Sequence, residues 1–172
     1  GAAFGLGDHP TTIMALELLE VAMIRLTGGM QPPEVLDVGS GVGILSIASI
    51  LLGAECAVAV DIDPIAVHVA KRNCDVNKVS PDEAVGGAVF HCLGGVESVK
   101  GSFDMVMANL VAPLLLRIRK DLCANSSNLL LVSGIFETMF AEVIEAFGKE
   151  GFEKIEGRSS GEWRSGLFAR RR

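Results

Sequence analysis

Apolar residues recur along this chain in two alternating rhythms. Leu16, Leu19, Met23 and Leu26 stand three and four positions apart, which predicts an amphipathic helix from about Pro10 to the Gly28-Gly29 pair. Pro10 suits a first helical turn, where its missing N–H would have no partner anyway. After Pro32-Pro33 the short run EVLDV closes in glycines and GILSIASILLGA follows at once, reading as strand then helix. AVAVDI and PIAVHVAKRNCDVN repeat the pair, with Pro64 again in the first turn. Further strands are expected at Ala88 to Leu93, at FDMVMAN and at LLLVS. Val111, Leu115, Ile118 and Leu122 have helical spacing, and so do Phe136, Phe140, Val143 and Phe147. FEKIEGR and EWRSGLFAR close the chain as a strand pair. The alternation predicts an α/β fold, a mostly parallel seven-stranded sheet with helices on both faces and an antiparallel C-terminal edge hairpin. No internal repeat or low-complexity tract interrupts it, and Lys78 to Gly87 reads as a connector.

Composition narrows the class. At 172 residues the chain fits one domain, residues 1–172, and its interior is built from aliphatic rather than aromatic side chains, with 49% apolar residues against 5% aromatic and no tyrosine. A net charge of -6 argues against nucleic acid as a direct partner, since phosphate binding needs clustered Lys and Arg. The basic end, Arg170 to Arg172 with Arg158 and Arg164 upstream, reads as a solvated terminus. Cys56, Cys74, Cys92 and Cys123 are widely spaced, without CxxC or histidine at ligand spacing, so buried free thiols are expected rather than a metal site. No stretch reaches the length of an apolar membrane span. A cytoplasmic, monomeric protein is the expectation, with a further N-terminal portion before Gly1 and an organelle as the alternative if a targeting segment stood there.

In a parallel α/β sheet the ligand lies beyond the carboxyl ends of the strands, where strand order reverses. The first strand ends in VLDVGSGVGILS, with Gly39, Gly41 and Gly43 spaced GxGxG. A dinucleotide fingerprint would need a glycine at position 44, where Ile44 stands, which weakens an NAD-dependent dehydrogenase reading. A structural strand-to-helix corner is the plain alternative. Asp61, at the end of the second strand in VDIDP, can accept both hydroxyls of a ribose, while Asp63 is placed to cap the next helix. Asn109 ends the fourth strand on the same edge and offers both a donor and an acceptor.

The runs DVGSGVGILSIA, VDIDPIAVHVAKRN and MANL together resemble the class I methyltransferases that use S-adenosylmethionine. More closely, AFGLGDHPTT before the first helix resembles the ribosomal protein L11 methyltransferase family, whose pattern is AFGTGxHPTT. SGI at Ser133 to Ile135 and EW at Glu162-Trp163 extend the resemblance over essentially the whole chain. It implies S-adenosyl-L-methionine as cofactor, held by Thr12, Gly39, Ser40, Gly41, Gly43, Asp61, Ile62 and Asn109, with Phe4 in a loop folded over the methionine end. The start of the first helix favours that cofactor's carboxylate. It implies methyl transfer to an amino group, lysine or N-terminal, of a ribosomal protein, with Asn109 orienting the amine and no metal. The family also carries an N-terminal domain that presents the substrate, so these residues correspond to the catalytic domain. Leu6 departs from the family's threonine. Asp8 is a candidate proton acceptor or helix cap, and His9 a proton acceptor or a support of the loop; His68 and His91 are assigned packed or surface roles.

Rival readings remain. Adenine or glutamine methylation needs an aromatic motif after the fourth strand, where Leu110-Val111-Ala112 stands instead. Another protein or a small molecule as acceptor stays open, as does a non-catalytic S-adenosylmethionine-binding module. The GEWRSGLFARR end is assigned to the edge hairpin on the substrate side.

Overall fold

The computed structural model describes residues 8–29, 31–82 and 86–171. Helix α1 (Pro10–Leu26) leads into strand β1 (Glu34–Val38), α2 (Ile44–Leu51), β2 (Cys56–Asp61), α3 (Pro64–Val76) and β3 (Ala88–Leu93). A 3-10 turn (Val96–Ser98) precedes β4 (Phe103–Asn109), α4 (Ala112–Asn125), β5 (Ser126–Phe136), α5 (Glu137–Lys149), β6 (Phe152–Ser160) and β7 (Trp163–Arg170). The seven strands form one sheet in the order β3-β2-β1-β4-β5-β7-β6. Strands β1 to β5 pair in parallel. Only β7 is reversed; it inserts between β5 and β6, antiparallel to both, so the hairpin's outer strand β6 forms the edge.

Strand parity explains the two-faced core, because successive side chains leave a strand on opposite sides. Val35, Ala57, Ala59, Val89, Met105, Met107, Leu129, Leu131 and Leu167 pack with α1, α2 and α3. Their neighbours Leu36, Val60, Val106, Ala108, Leu130, Val132 and Phe168 pack with α4 and α5. Buried on both sides, these strands read as near-continuous apolar runs, as parallel sheets require.

Three details differ from the periodicity. The buried stripe of α1 runs through Ala15, Leu18, Leu19, Ala22 and Met23, while Leu16 and Leu26 are only partly covered. Small residues let the helix lie close to the sheet, and apolar residues around its circumference blur the stripe. Strand β5 is longer than LLLVS at both ends, carried past Ser133 by a register shift against β7 between Val132 and Ile135. Phe136, expected on the face of α5, is instead the last residue of β5 and 44% exposed. The cysteines are free, Cys74 and Cys123 buried but Cys56 and Cys92 partly exposed. Burial raises the thiol pKa to about 11 at Cys74 and about 12 at Cys123. Among the described residues no helix is long and apolar enough to cross a membrane.

Candidate functional site at the carboxyl edge of the sheet

Strand order reverses between β1 and β4, and the polar residues at the strand ends gather there. By parity Asp37, Asp61, Asn109 and Ser133 all fall on the side of the sheet that α1 and α2 cover, each two residues beyond a core position of that face (Val35, Ala59, Met107, Leu131). The sheet thus delivers four polar side chains to one edge and one face.

The turn after β1 is built by backbone. Gly39 and Ser40 both donate their N–H to the Val60 carbonyl at the end of β2, at 2.9 and 3.1 Å, and Gly43 N–H donates to the Ser40 carbonyl at 2.9 Å. Gly39, Gly41 and Gly43 have φ of +71°, +55° and +86°, a region that side-chain-bearing residues rarely enter. A Cβ on Gly43, the N-cap of α2, would come within 3.2 Å of Ala70 Cβ, so this glycine also lets α2 and α3 approach. Ser40 Oγ is buried and finds no partner among the described residues.

Asp61 organises the same turn. Its Oδ2 accepts the Gly41 N–H at 2.8 Å and its Oδ1 accepts the Asp63 N–H at 2.9 Å. Asp63 caps α3, accepting from Ile65 N–H at 2.8 Å, as expected of it. Each carboxylate oxygen of Asp61 keeps a further lone pair for a ligand. Ile62 beside it is 77% exposed. Asp37, not singled out in the sequence, is 1% exposed and accepts from Ser46 Oγ at 2.6 Å; burial lifts its carboxyl pKa to about 6 against this hydrogen bond, with the Asp61 charge adding a little.

The start of α1 closes the other side. His9, rather than Asp8, is the N-cap of the helix: its Nδ1 lies 2.8 Å from Thr11 Oγ1 and accepts from Thr11 N–H at 3.4 Å, while Asp8 is exposed. Thr12, 4% exposed, accepts from Asn109 Nδ2 at 3.4 Å. Ser133 Oγ donates to the Thr11 carbonyl at 2.8 Å, and Leu110 N–H donates to the Ser133 carbonyl at 3.0 Å. Gly134, at φ +83°, sits so close that a Cβ would meet the Leu110 carbonyl oxygen at 2.9 Å and Asn109 Oδ1 at 3.1 Å. Phe4 and Leu6 lie outside the described residues.

Beyond Ser133 the strand ends carry aromatic rings. Phe136 stacks on Trp163 with centroids 4.2 Å apart and planes at 26°, and His9 meets Trp163 edge-on at 5.3 Å. No ring follows Asn109 in sequence; the rings on this edge come from β5 and β7 and border the cap of α1. His91, on edge strand β3, has its pKa lowered by burial and by Lys71, and His68 is exposed on α3. A cleft of about 570 Å³ lined by Pro32, Leu51, Lys78 and Gly87 lies at the opposite, amino end of the strands.

The sequence of residues 1–171 is matched by the family model described as "Ribosomal protein L11 methyltransferase (PrmA)". The chain belongs to the ribosomal protein L11 methyltransferase family. A relative of that name from Citrifermentans bemidjiense is 42% identical over 165 residues, 95% of this chain and 51% of that protein. Another from Chloroflexus aurantiacus is 40% identical over 185 residues, 95% of this chain and 54% of its own length. The chain therefore spans about half the length of the curated relatives it matches. Among solved structures, a ribosomal protein L11 methylase from Lactobacillus delbrueckii subsp. bulgaricus superposes with a TM-score of 0.80 at 26% identity, covering 96% of this chain and 81% of that one. Magnesium protoporphyrin IX methyltransferase from Synechocystis, solved with bound SAM, shares the fold at a TM-score of 0.72 and 19% identity, over 99% of this chain and 88% of its own.

Proposed function

We propose that residues 1–172 form the catalytic domain of a protein methyltransferase that moves a methyl group from S-adenosyl-L-methionine to an amino group, lysine or N-terminal, of a ribosomal protein. The observation that carries this reading is the convergence of the Gly39–Gly41 turn, Asp61 and the Asn109–Thr12 pair at one switch point of the sheet. The residues fit the cofactor. Ser40 offers a buried hydroxyl without a partner among the described residues, and Asp61 keeps acceptor capacity on both oxygens for a ribose diol. In this reading Asp61 and Ile62 hold the nucleoside, the Gly39–Gly43 turn and Ser40 lie along its middle, and Thr12 with the first turn of α1 takes the amino-acid end. Phe4 would join from the preceding segment.

The cofactor, when bound, supplies an electrophilic methyl on a sulfonium centre. The protein's part is positioning and exclusion of water. Asn109, its amide nitrogen turned to Thr12, has its oxygen left to accept a hydrogen bond from the acceptor amine. A lysine amine, with an ordinary pKa near 10.4, must shed its proton before attack, and a desolvated site lowers that cost. A protein partner, no direct nucleic-acid partner, a monomeric state and a cytoplasmic setting complete the reading, in keeping with the acidic net charge.

Incubating the chain with methyl-labelled S-adenosylmethionine and purified ribosomal protein L11 tests it. Label on amino groups of that protein, lost in Asn109→Ala, is expected; cofactor binding without transfer to any amine would favour a non-catalytic module.

A further inference from the structure

We propose that the stacked pair of Phe136 and Trp163, with His9 edge-on, is the wall against which the acceptor side chain lies, and that it selects an aliphatic cation over a planar base. The inference rests on the methyl-transfer reading of the adjoining site. Position comes first. His9 caps α1, touches Thr11 and borders Trp163; Thr12, in the same turn, is hydrogen-bonded to Asn109. The rings therefore border the same helical turn whose Thr12 meets the asparagine.

Availability and rigidity come next. Phe136 is stacked on one side yet still 44% exposed, so part of its surface faces solvent. Trp163 and Phe136 are register partners of β7 and β5. The turn carrying Trp163 is pinned to α5: Glu137 N–H donates to the Glu162 carbonyl at 2.8 Å and the Glu137 carboxylate pairs with Arg164, whose Nη1 donates to the carbonyls of Gly161 and Trp163. A preorganised wall binds without ordering itself.

Charge decides the class of occupant. Among the described residues, Glu137 and Arg164 on the segments that carry the rings neutralise each other, which leaves Asp8 and Glu162 exposed there as unbalanced carboxylates. An aromatic face attracts an ammonium within about 6 Å, and a carboxylate rim adds to that pull. A flat base cannot be sandwiched between the rings, because Phe136 and Trp163 already occupy each other's inner faces. A lysine offers both features at once, a four-carbon stem for the rings and, on arrival, a charge for the rim that it gives up before attack.

Trp163 is the only tryptophan and tyrosine is absent, so indole emission and the single indole N–H cross-peak report on this wall alone. The test titrates the 172-residue chain, with and without S-adenosylhomocysteine, with Nα-acetyl-lysine methylamide, its norleucine counterpart and 9-methyladenine. Saturable shifts of the Trp163 signals are expected with the lysine probe, at least threefold weaker binding with norleucine, and weaker binding still with the base. Phe136→Leu, which keeps an apolar side chain but removes the ring, should weaken the lysine probe by about 3- to 30-fold while leaving S-adenosylhomocysteine affinity unchanged. No shift with the lysine probe, equal binding of norleucine, or preference for the base overturns the proposal. Failure of the wild type to bind S-adenosylhomocysteine by calorimetry would instead overturn the methyl-transfer reading.

Discussion

Ser133 Oγ donates a 2.8 Å hydrogen bond to the carbonyl of Thr11, joining the buried middle of the sheet to the first turn of α1 across 122 residues of sequence. Through this bond β5 fixes the height of α1 above the strand ends, and with it the place of Thr12 beside Asn109. The Ser133 carbonyl meanwhile holds Leu110. One residue thus ties together three segments of the site.

Ser133→Ala removes this bond from a buried place while the Thr11 carbonyl keeps its partner within the helix, which costs about 0.5–1.5 kcal/mol. Urea unfolding is expected to show a lower midpoint at unchanged slope. Cofactor affinity should fall as Thr12 loosens, and a variant with both properties intact would contradict the role given to this bond.

Gly134→Ala is expected to be worse. The residue sits at φ +83° and the new Cβ would press on the Leu110 carbonyl at 2.9 Å, a backbone atom that cannot swing aside. Backbone strain of this kind costs about 1–3 kcal/mol before the contact is counted. Thermal unfolding of the variant checks it; a melting temperature equal to wild type would show that the turn relaxes freely.

Asp37 sets a pH dependence of stability. Its folded pKa, about 6, stands above the ordinary 3.8. Between those values the folded state holds more protons than the unfolded one, so this group makes stability fall as pH rises from about 4 to 6, by about 3 kcal/mol for two pKa units. The cost is then constant above pH 6. Asp37→Asn keeps an acceptor for Ser46 and removes the ionisation, so the variant should gain stability at pH 7 and lose this slope. Parallel stability curves for the two proteins between pH 4 and 7 would refute the assignment.

Much of this molecule is legible in its sequence because parallel strands buried on both faces are short apolar runs, and each run read as a strand is one in the structure. Asp61 and Asn109 could be placed for the same reason: a strand's last residue has a known position in this architecture, while Asp63 stands directly before the proline that opens α3. Other residues carry no local signal. Phe136 fits the helical rhythm of Phe140, Val143 and Phe147, and only its pairing with Trp163 across β7 reveals that it ends a strand. Ser133 looks like any small residue in LLLVSG until α1 folds over it. His9 took the cap expected of the more usual Asp8 because Pro10 begins the helix directly after it. Parity within β1, counted from Val35, was the signal that could have flagged Asp37.

The central claim, that the glycine turn and Asp61 hold S-adenosylmethionine, is tested most directly by calorimetric titration of the chain with that cofactor, beside Asp61→Ala and with NADH as control ligand. The account predicts saturable binding to the wild type, at least tenfold weaker binding to the variant, since a hydrogen bond to a charged group contributes about 1.5–3 kcal/mol, and none of NADH. A folded wild-type chain that ignores S-adenosylmethionine, or a variant that binds it equally well, would contradict it.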